Sequence, residues 1–130
     1  PLLSLIHDTL GLTGTKYFCD QGACVGCTVL LNGRPVLSCM TLAAECNNAT
    51  VQTVEGIAKE KHPLIDTYVE NHCMQCGYCT PGFIVTAKAL LDRNPNADEA
   101  DIREALAGNL CRCGTYPQHI PAIIEAEKRL

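Results

Sequence analysis

The sequence predicts an α+β fold in two parts, a mixed helix-and-strand region followed by a helical one. Three observations carry that prediction. The dipeptide Asn32-Gly33 separates two short β-prone runs, four later segments repeat apolar residues every three or four positions, and the texture of the 130-residue chain changes near residue 60.

Leu2, Leu3, Leu5, Ile6 and Leu10 form an apolar stripe at helical spacing, and Gly11 follows where a left-handed C-terminal residue would sit. A short helix is expected there. Residues 28–31 and 35–38 flank Asn32-Gly33, which favours a type I′ turn because both central residues need positive φ. The spacing predicts a β-hairpin. Val-Gln-Thr-Val at 51–54 reads as another strand, ended by Glu55-Gly56, and residues 56–63 read as a linker around the charged run Lys59-Glu60-Lys61. Beyond it, helical periodicity is expected over 64–71, 81–93, 99–106 and 121–129. Asn94-Pro95-Asn96 breaks the chain before the third of these, and Asp98 with Asp101 predicts a capping arrangement at its start.

A core this small invites covalent or metal staples, and ten cysteines are available to supply them. The net charge of -4, with lysines and arginines scattered singly, provides no basic field for a phosphate backbone, so nucleic acid is not an expected partner. No apolar run approaches the roughly 18 residues of a membrane span, and no stretch has the build of a leader. A cytoplasmic protein without a membrane span is expected. No acid-base pair stands out among the Asp and Glu residues, so no catalytic residue is assigned.

Cys19, Cys24 and Cys27 have C-x4-C-x2-C spacing, and Cys39 follows twelve positions later at the far end of the hairpin. That is the plant-type 2Fe-2S ferredoxin pattern. Each iron needs two thiolates in a tetrahedral set, so a loop must curl round the cluster and one distant thiolate must close it. Gly22 and Gly26 give the loop conformational latitude. Zinc and disulfides are the competing readings, although zinc more usually pairs two C-x2-C knuckles.

The second group is Cys76-x2-Cys79, just before Thr80-Pro81-Gly82, together with Cys111-x-Cys113. Pro81 marks a helix start, so the two pairs are expected to converge at neighbouring helix ends. Cys73 extends the first pair to C-x2-C-x2-C, the opening of a bacterial 4Fe-4S motif, but position 83, where a further cysteine belongs, is Phe83. A 4Fe-4S arrangement with Cys111 or Cys113 stays open. Cys73 and Cys46 otherwise read as small buried apolar residues. His7, His62, His72 and His119 share no ligand spacing and read as surface or capping residues. His72, beside Cys73, is where an imidazole would couple proton to electron uptake. Tyr116 and Pro117 are expected to pack the loop after Cys113.

Gln75-Cys76-Gly77-Tyr78-Cys79-Thr80-Pro81-Gly82 and Asn109-Leu110-Cys111-Arg112-Cys113-Gly114, behind a ferredoxin-type loop, resemble the iron-sulfur small subunit of the xanthine dehydrogenase family of molybdenum hydroxylases. Small subunits of aerobic carbon monoxide dehydrogenase, isoquinoline oxidoreductase and 4-hydroxybenzoyl-CoA reductase belong to it. The resemblance implies a β-grasp ferredoxin-like domain over 1–58 and a four-helix bundle over 59–130. It assigns Cys19, Cys24, Cys27 and Cys39 to a cluster nearer a flavin, and Cys76, Cys79, Cys111 and Cys113 to a cluster nearer molybdenum. Gln75 and Cys113 would also touch the molybdopterin.

The implied function is electron transfer between a molybdenum site on a large subunit and FAD on a medium subunit, or another acceptor, within a heterotrimer or a dimer of heterotrimers. The large subunit would perform hydroxylation or reductive dehydroxylation of an aromatic compound. A free-standing two-cluster ferredoxin is the alternative. Departures from the family pattern are Phe18 and Val25, where glycine is usual, and Gly114-Thr115-Tyr116, where Thr-Gly-Tyr is common. The β-hairpin that usually precedes the first helix is not among these residues.

Overall fold

The computed structural model describes residues 1–130 as a mixture of helices and one small sheet. The chain begins with α1 (Leu2–Ser4), which widens at once into a π-helical segment, Leu5–Thr9. Leu2, Leu3 and Ile6 are buried, while Leu5 and Leu10 of the expected stripe are exposed. Gly11 takes the expected left-handed conformation, with φ 70°.

The hairpin forms as its turn chemistry dictates. Strands β1 (Thr28–Leu31) and β2 (Arg34–Leu37) pair antiparallel from Thr28↔Leu37 to Leu31↔Arg34, and Asn32 and Gly33 have φ of 50° and 83°. Short 3-10 turns at Ser38–Met40 and Ala43–Cys46 lead to β3 (Val51–Gln52), which pairs with β1 and completes the order β2-β1-β3. β1 is covered on both faces. Val29 packs with Leu2 and Ile6 on one side, and Leu30 joins the helical core on the other, as the period of two along a strand requires.

The strand expected over 51–54 is therefore two residues long. Thr53 ends it as the residue before α2 (Val54–Lys59), so Glu55 and Gly56 are helical and the expected linker is largely a helix. Ile57, fully buried against α4, is the reason: a strand continuing through these residues would forfeit that burial.

Four helices follow: α3 (Pro63–Glu70), α4 (Thr80–Arg93), α5 (Glu99–Leu106) and α6 (Tyr116–Lys128). His62 caps α3, its Nδ1 accepting from the Leu64 N–H at 3.1 Å. Asp98 and Asp101 form the expected reciprocal box at α5, with distances of 2.9 and 3.0 Å, an arrangement that contributes about 1 kcal/mol. α6 starts five positions before the expected residue 121, and Pro121 lies inside it. Pro117 already occupies the first turn, where its missing N–H costs nothing, and the burial of His119 and Ala122 holds the early turns in place. α4 is the central element. It packs on β1, α2, α3 and α5, and Phe83, Val85 and Leu90 lie at the heart of the largest core cluster. No helix is long and apolar enough to cross a membrane.

Candidate functional site

Twelve positions separate Cys27 from Cys39, and the hairpin removes that separation. Cys27 precedes β1, Cys39 follows β2, and the Cys39 N–H lies 3.4 Å from Cys27 Sγ. Ser38 fixes the juncture by donating its hydroxyl to the Cys27 carbonyl at 2.7 Å. Ahead of β1, the loop bends at three left-handed residues, Asp20, Gly22 and Val25. Those bends turn the N–H groups of Gln21, Ala23 and Cys24 onto Cys19 Sγ at 3.4, 3.2 and 3.3 Å, and that of Gly26 onto Cys24 Sγ at 3.4 Å. A Cβ on Gly26 would lie 3.5 Å from that same sulfur, an ordinary van der Waals contact. Burial raises the Cys19 pKa, but the three N–H donors outweigh it and bring it down to about 7. Cys39 goes the other way, pushed up to about 11 by burial and then by its neighbour Cys27.

The second group assembles at helix ends. Cys79 caps α4, while Cys111 and Cys113 lie in the turn between α5 and α6. Cys79 and Cys111 are buried together, Cys76 is exposed, and Cys113 is half-buried beside it. Gly77 and Gly114, with φ of 82° and 78°, shape the two turns. The Tyr78 N–H points at Cys76 Sγ at 3.4 Å, and Tyr116, packing the loop as expected, accepts the Cys111 N–H at 2.7 Å. Burial followed by the adjacent Cys111 pushes Cys79 up to about 12. Cys111 is also raised by burial, yet hydrogen bonds from Thr115 overcome this and lower it to about 7.

All ten cysteines are free thiols, so no disulfide framework forms. No three His, Cys, Asp or Glu side chains converge on one point, as a single zinc ion would require. The thiols instead neighbour one another in pairs: Cys19 with Cys24, Cys27 with Cys39, Cys79 with Cys111 and Cys76 with Cys113. Two thiolates per iron is the requirement of a 2Fe-2S cluster, and the donor set fits it. The Thr80 hydroxyl, buried next to Cys79 and without a partner, is a spare donor of the kind a cluster sulfide satisfies. Cys73 stays apart, fully buried in the helical core with its thiol donating to the Gln118 carbonyl at 3.2 Å. Cys46 is only half-buried. Gln75 is exposed beside Cys76.

Sequence reasoning set the two groups on either side of a linker, whereas the fold binds them to each other. The Leu110 N–H, next to Cys111, donates to the Cys24 carbonyl at 3.2 Å. Gly82 at the start of α4 sits so close to the first loop that a Cβ would approach the Val25 carbonyl to 2.8 Å and the Gly26 Cα to 3.0 Å. Tyr78 reaches across to donate to the Tyr17 carbonyl and packs edge-on against Phe18 at 5.2 Å.

Histidine placement departs from expectation too. His72 is exposed, but His119 is fully buried rather than a surface or capping residue. Its ring nitrogens meet the Thr115 hydroxyl at 2.9 Å and the Tyr68 hydroxyl at 3.0 Å, and Thr115 in turn meets Cys111 Sγ at 3.1 Å. The i to i+4 spacing of Thr115 and His119 on a helix is the only signal in the sequence that points to this contact.

A protein-family model described as a 2Fe-2S binding domain matches residues 53–124. The small FeS subunit of nicotinate dehydrogenase from Eubacterium barkeri is 45% identical over 130 residues, covering 98% of this chain and 83% of the relative. Isoquinoline 1-oxidoreductase subunit alpha from Brevundimonas diminuta is 43% identical over 129 residues, covering 98% and 85%. Among solved structures, quinoline 2-oxidoreductase from Pseudomonas putida 86 matches with a TM-score of 0.89 at 40% identity, over 98% of this chain and 83% of that one. Aldehyde oxidoreductase from Desulfovibrio gigas matches with a TM-score of 0.91 at 38% identity, over 97% of this chain and 14% of the other.

Proposed function

The chain belongs to the family of small iron-sulfur subunits of molybdenum hydroxylases, and on that premise we propose that eight of its cysteines hold two 2Fe-2S clusters that pass electrons between two partner subunits. Its role is electron transfer within an oxidoreductase. Cys19, Cys24, Cys27 and Cys39 would hold the first cluster, and Cys76, Cys79, Cys111 and Cys113 the second. Such a cluster, when bound, accepts and returns one electron at a time. The residues supply the rest. Backbone N–H groups aimed at Cys19, Cys24, Cys27, Cys76 and Cys111 favour added negative charge, and burial of Cys24, Cys39, Cys79 and Cys111 limits water.

The observation that carries this reading is the arrangement of eight thiols in four neighbouring pairs, with the loop of the Cys19–Cys24 pair tied to the turn of the Cys79–Cys111 pair by the Leu110 N–H to Cys24 carbonyl bond. A β-grasp domain over 1–58 and a four-helix bundle over 59–130 would put one quartet in each. The exposed side chains Met74, Gln75, Cys76, Tyr78 and Leu110 surround the second quartet. That rim suits a large molybdopterin subunit, with Gln75 and Cys113 at the pterin. Phe18 and Met40, exposed around the first quartet, suit a medium FAD subunit, which gives a heterotrimer or a dimer of heterotrimers. Nicotinate, isoquinoline and quinoline, named for the relatives, support an aromatic substrate handled wholly by the large subunit. Reduced thiols in this number suit the cytoplasm.

Serine substitution in the purified complex tests the assignment. Cys24→Ser removes one of two 2Fe-2S paramagnetic resonance signals, Cys111→Ser removes the other, and Cys73→Ser removes neither. Loss of a signal in Cys73→Ser, or its retention in Cys111→Ser, contradicts the ligand set.

A further inference from the structure

The second cysteine group has one feature the first lacks. Every sulfur hydrogen bond in the first group comes from the backbone, whereas Cys111 Sγ also meets a side-chain hydroxyl, that of Thr115, at 3.1 Å. Behind Thr115 lie His119 at 2.9 Å and, beyond it, Tyr68 at 3.0 Å.

The hydrogen positions follow from the ends of this chain. An iron-bound thiolate only accepts, so the single Thr115 hydroxyl hydrogen goes to Cys111. The Thr115 oxygen then accepts from His119 Nε2–H, which leaves Nδ1 to accept from the Tyr68 hydroxyl. Every donor has one acceptor. Tyr68 and His119 are fully buried and Thr115 nearly so, and Phe83 stacks on the imidazole at 4.0 Å and 17°. Burial holds the imidazole neutral, lowering its pKa to about 4, as this tautomer requires. Were the Thr115 hydroxyl to rotate away, Cys111 would lose a donor and two buried groups would lose their order.

We propose that Thr115 is a positioning residue of the second cluster: locked by His119 and Tyr68, its hydroxyl donates to Cys111 and raises the potential at which that cluster is reduced. The inference rests on Cys111 being a ligand, as proposed above. A hydrogen bond to sulfur favours the form with more negative charge, which is the reduced one. In the run Gly114-Thr115-Tyr116 it is the second residue that carries the hydroxyl, four positions before His119.

The test is a redox titration of the whole complex, following each 2Fe-2S signal separately. Thr115→Val keeps the shape and removes the hydroxyl. At any fixed potential it lowers the reduced-to-oxidised ratio of the second cluster about tenfold, about 59 mV for a one-electron couple, and leaves the first cluster unmoved. Thr115→Ser restores the wild-type value. If Thr115→Val does not load its second cluster, Tyr68→Phe decides, since it changes nothing next to the sulfur: a smaller shift in the same direction, confined to the second cluster, supports the proposal. An unchanged second potential, or equal shifts in both clusters, overturns it. A wild-type complex with no second 2Fe-2S signal overturns the ligand reading itself, which separates the two failures.

Discussion

Phe18 and Val25 are the two bulky apolar residues flanking Cys19 and Cys24 in the first loop, and each has a distinct physical consequence. Val25 holds a left-handed φ of 68°, which is strained for a β-branched residue and costs about 1–2 kcal/mol. Its side chain fits against Gly108, so part of that cost is offset by contact between the first loop and the turn after α5. Phe18 is 44% exposed, yet its ring lies against Tyr78 and its Cβ beside Gly26, covering the loop that contains Cys24. Phe18→Gly should admit water to that loop. Water stabilises the more negative, reduced form, so the first cluster's midpoint potential should rise while the second stays put, as read by redox titration. An unchanged first potential would mean that Phe18 gives no cover.

At the scale of elements, the start of α4 lies against the first loop with no room for a side chain between the two cysteine-bearing regions. Gly82→Ala forces a Cβ to within 2.8 Å of the Val25 carbonyl, and backbone on both sides leaves little room to yield. The expected result is a loss of about 1–3 kcal/mol on thermal or denaturant unfolding, together with weaker loading of both clusters. A fully stable variant would show that the two regions tolerate separation.

The same scale separates what the sequence makes legible from what it does not. The hairpin is local chemistry, because Asn32-Gly33 demands its turn, and the Asp98–Asp101 box is equally local. Both are readable without the fold. Val51 to Val54 is a β-prone run, but Ile57 finds its burial only against α4, so the choice between strand and helix is made by a contact distant in sequence. Residue 121 looks like a helix start by the rule that proline favours the first turn. Pro117 satisfies that rule earlier, and the buried His119 decides between them.

At the scale of the molecule, the two cysteine groups are readable from spacing, and their mutual contact is not. Nothing in the sequence announces that Leu110 donates to Cys24 or that Tyr78 reaches Tyr17, because these pairs lie far apart along the chain and meet only through packing. The buried line from Tyr68 through His119 and Thr115 to Cys111 is hidden in the same way, since it draws on α3 and α6 at once. The proposed two-cluster relay depends on both cysteine groups being filled. Paramagnetic resonance of the reduced complex, with iron measured on the same sample, tests this most directly. Two distinguishable 2Fe-2S signals of equal spin, hence four irons per chain, are predicted. A single signal with about two irons per chain, or a 4Fe-4S signal, would contradict it.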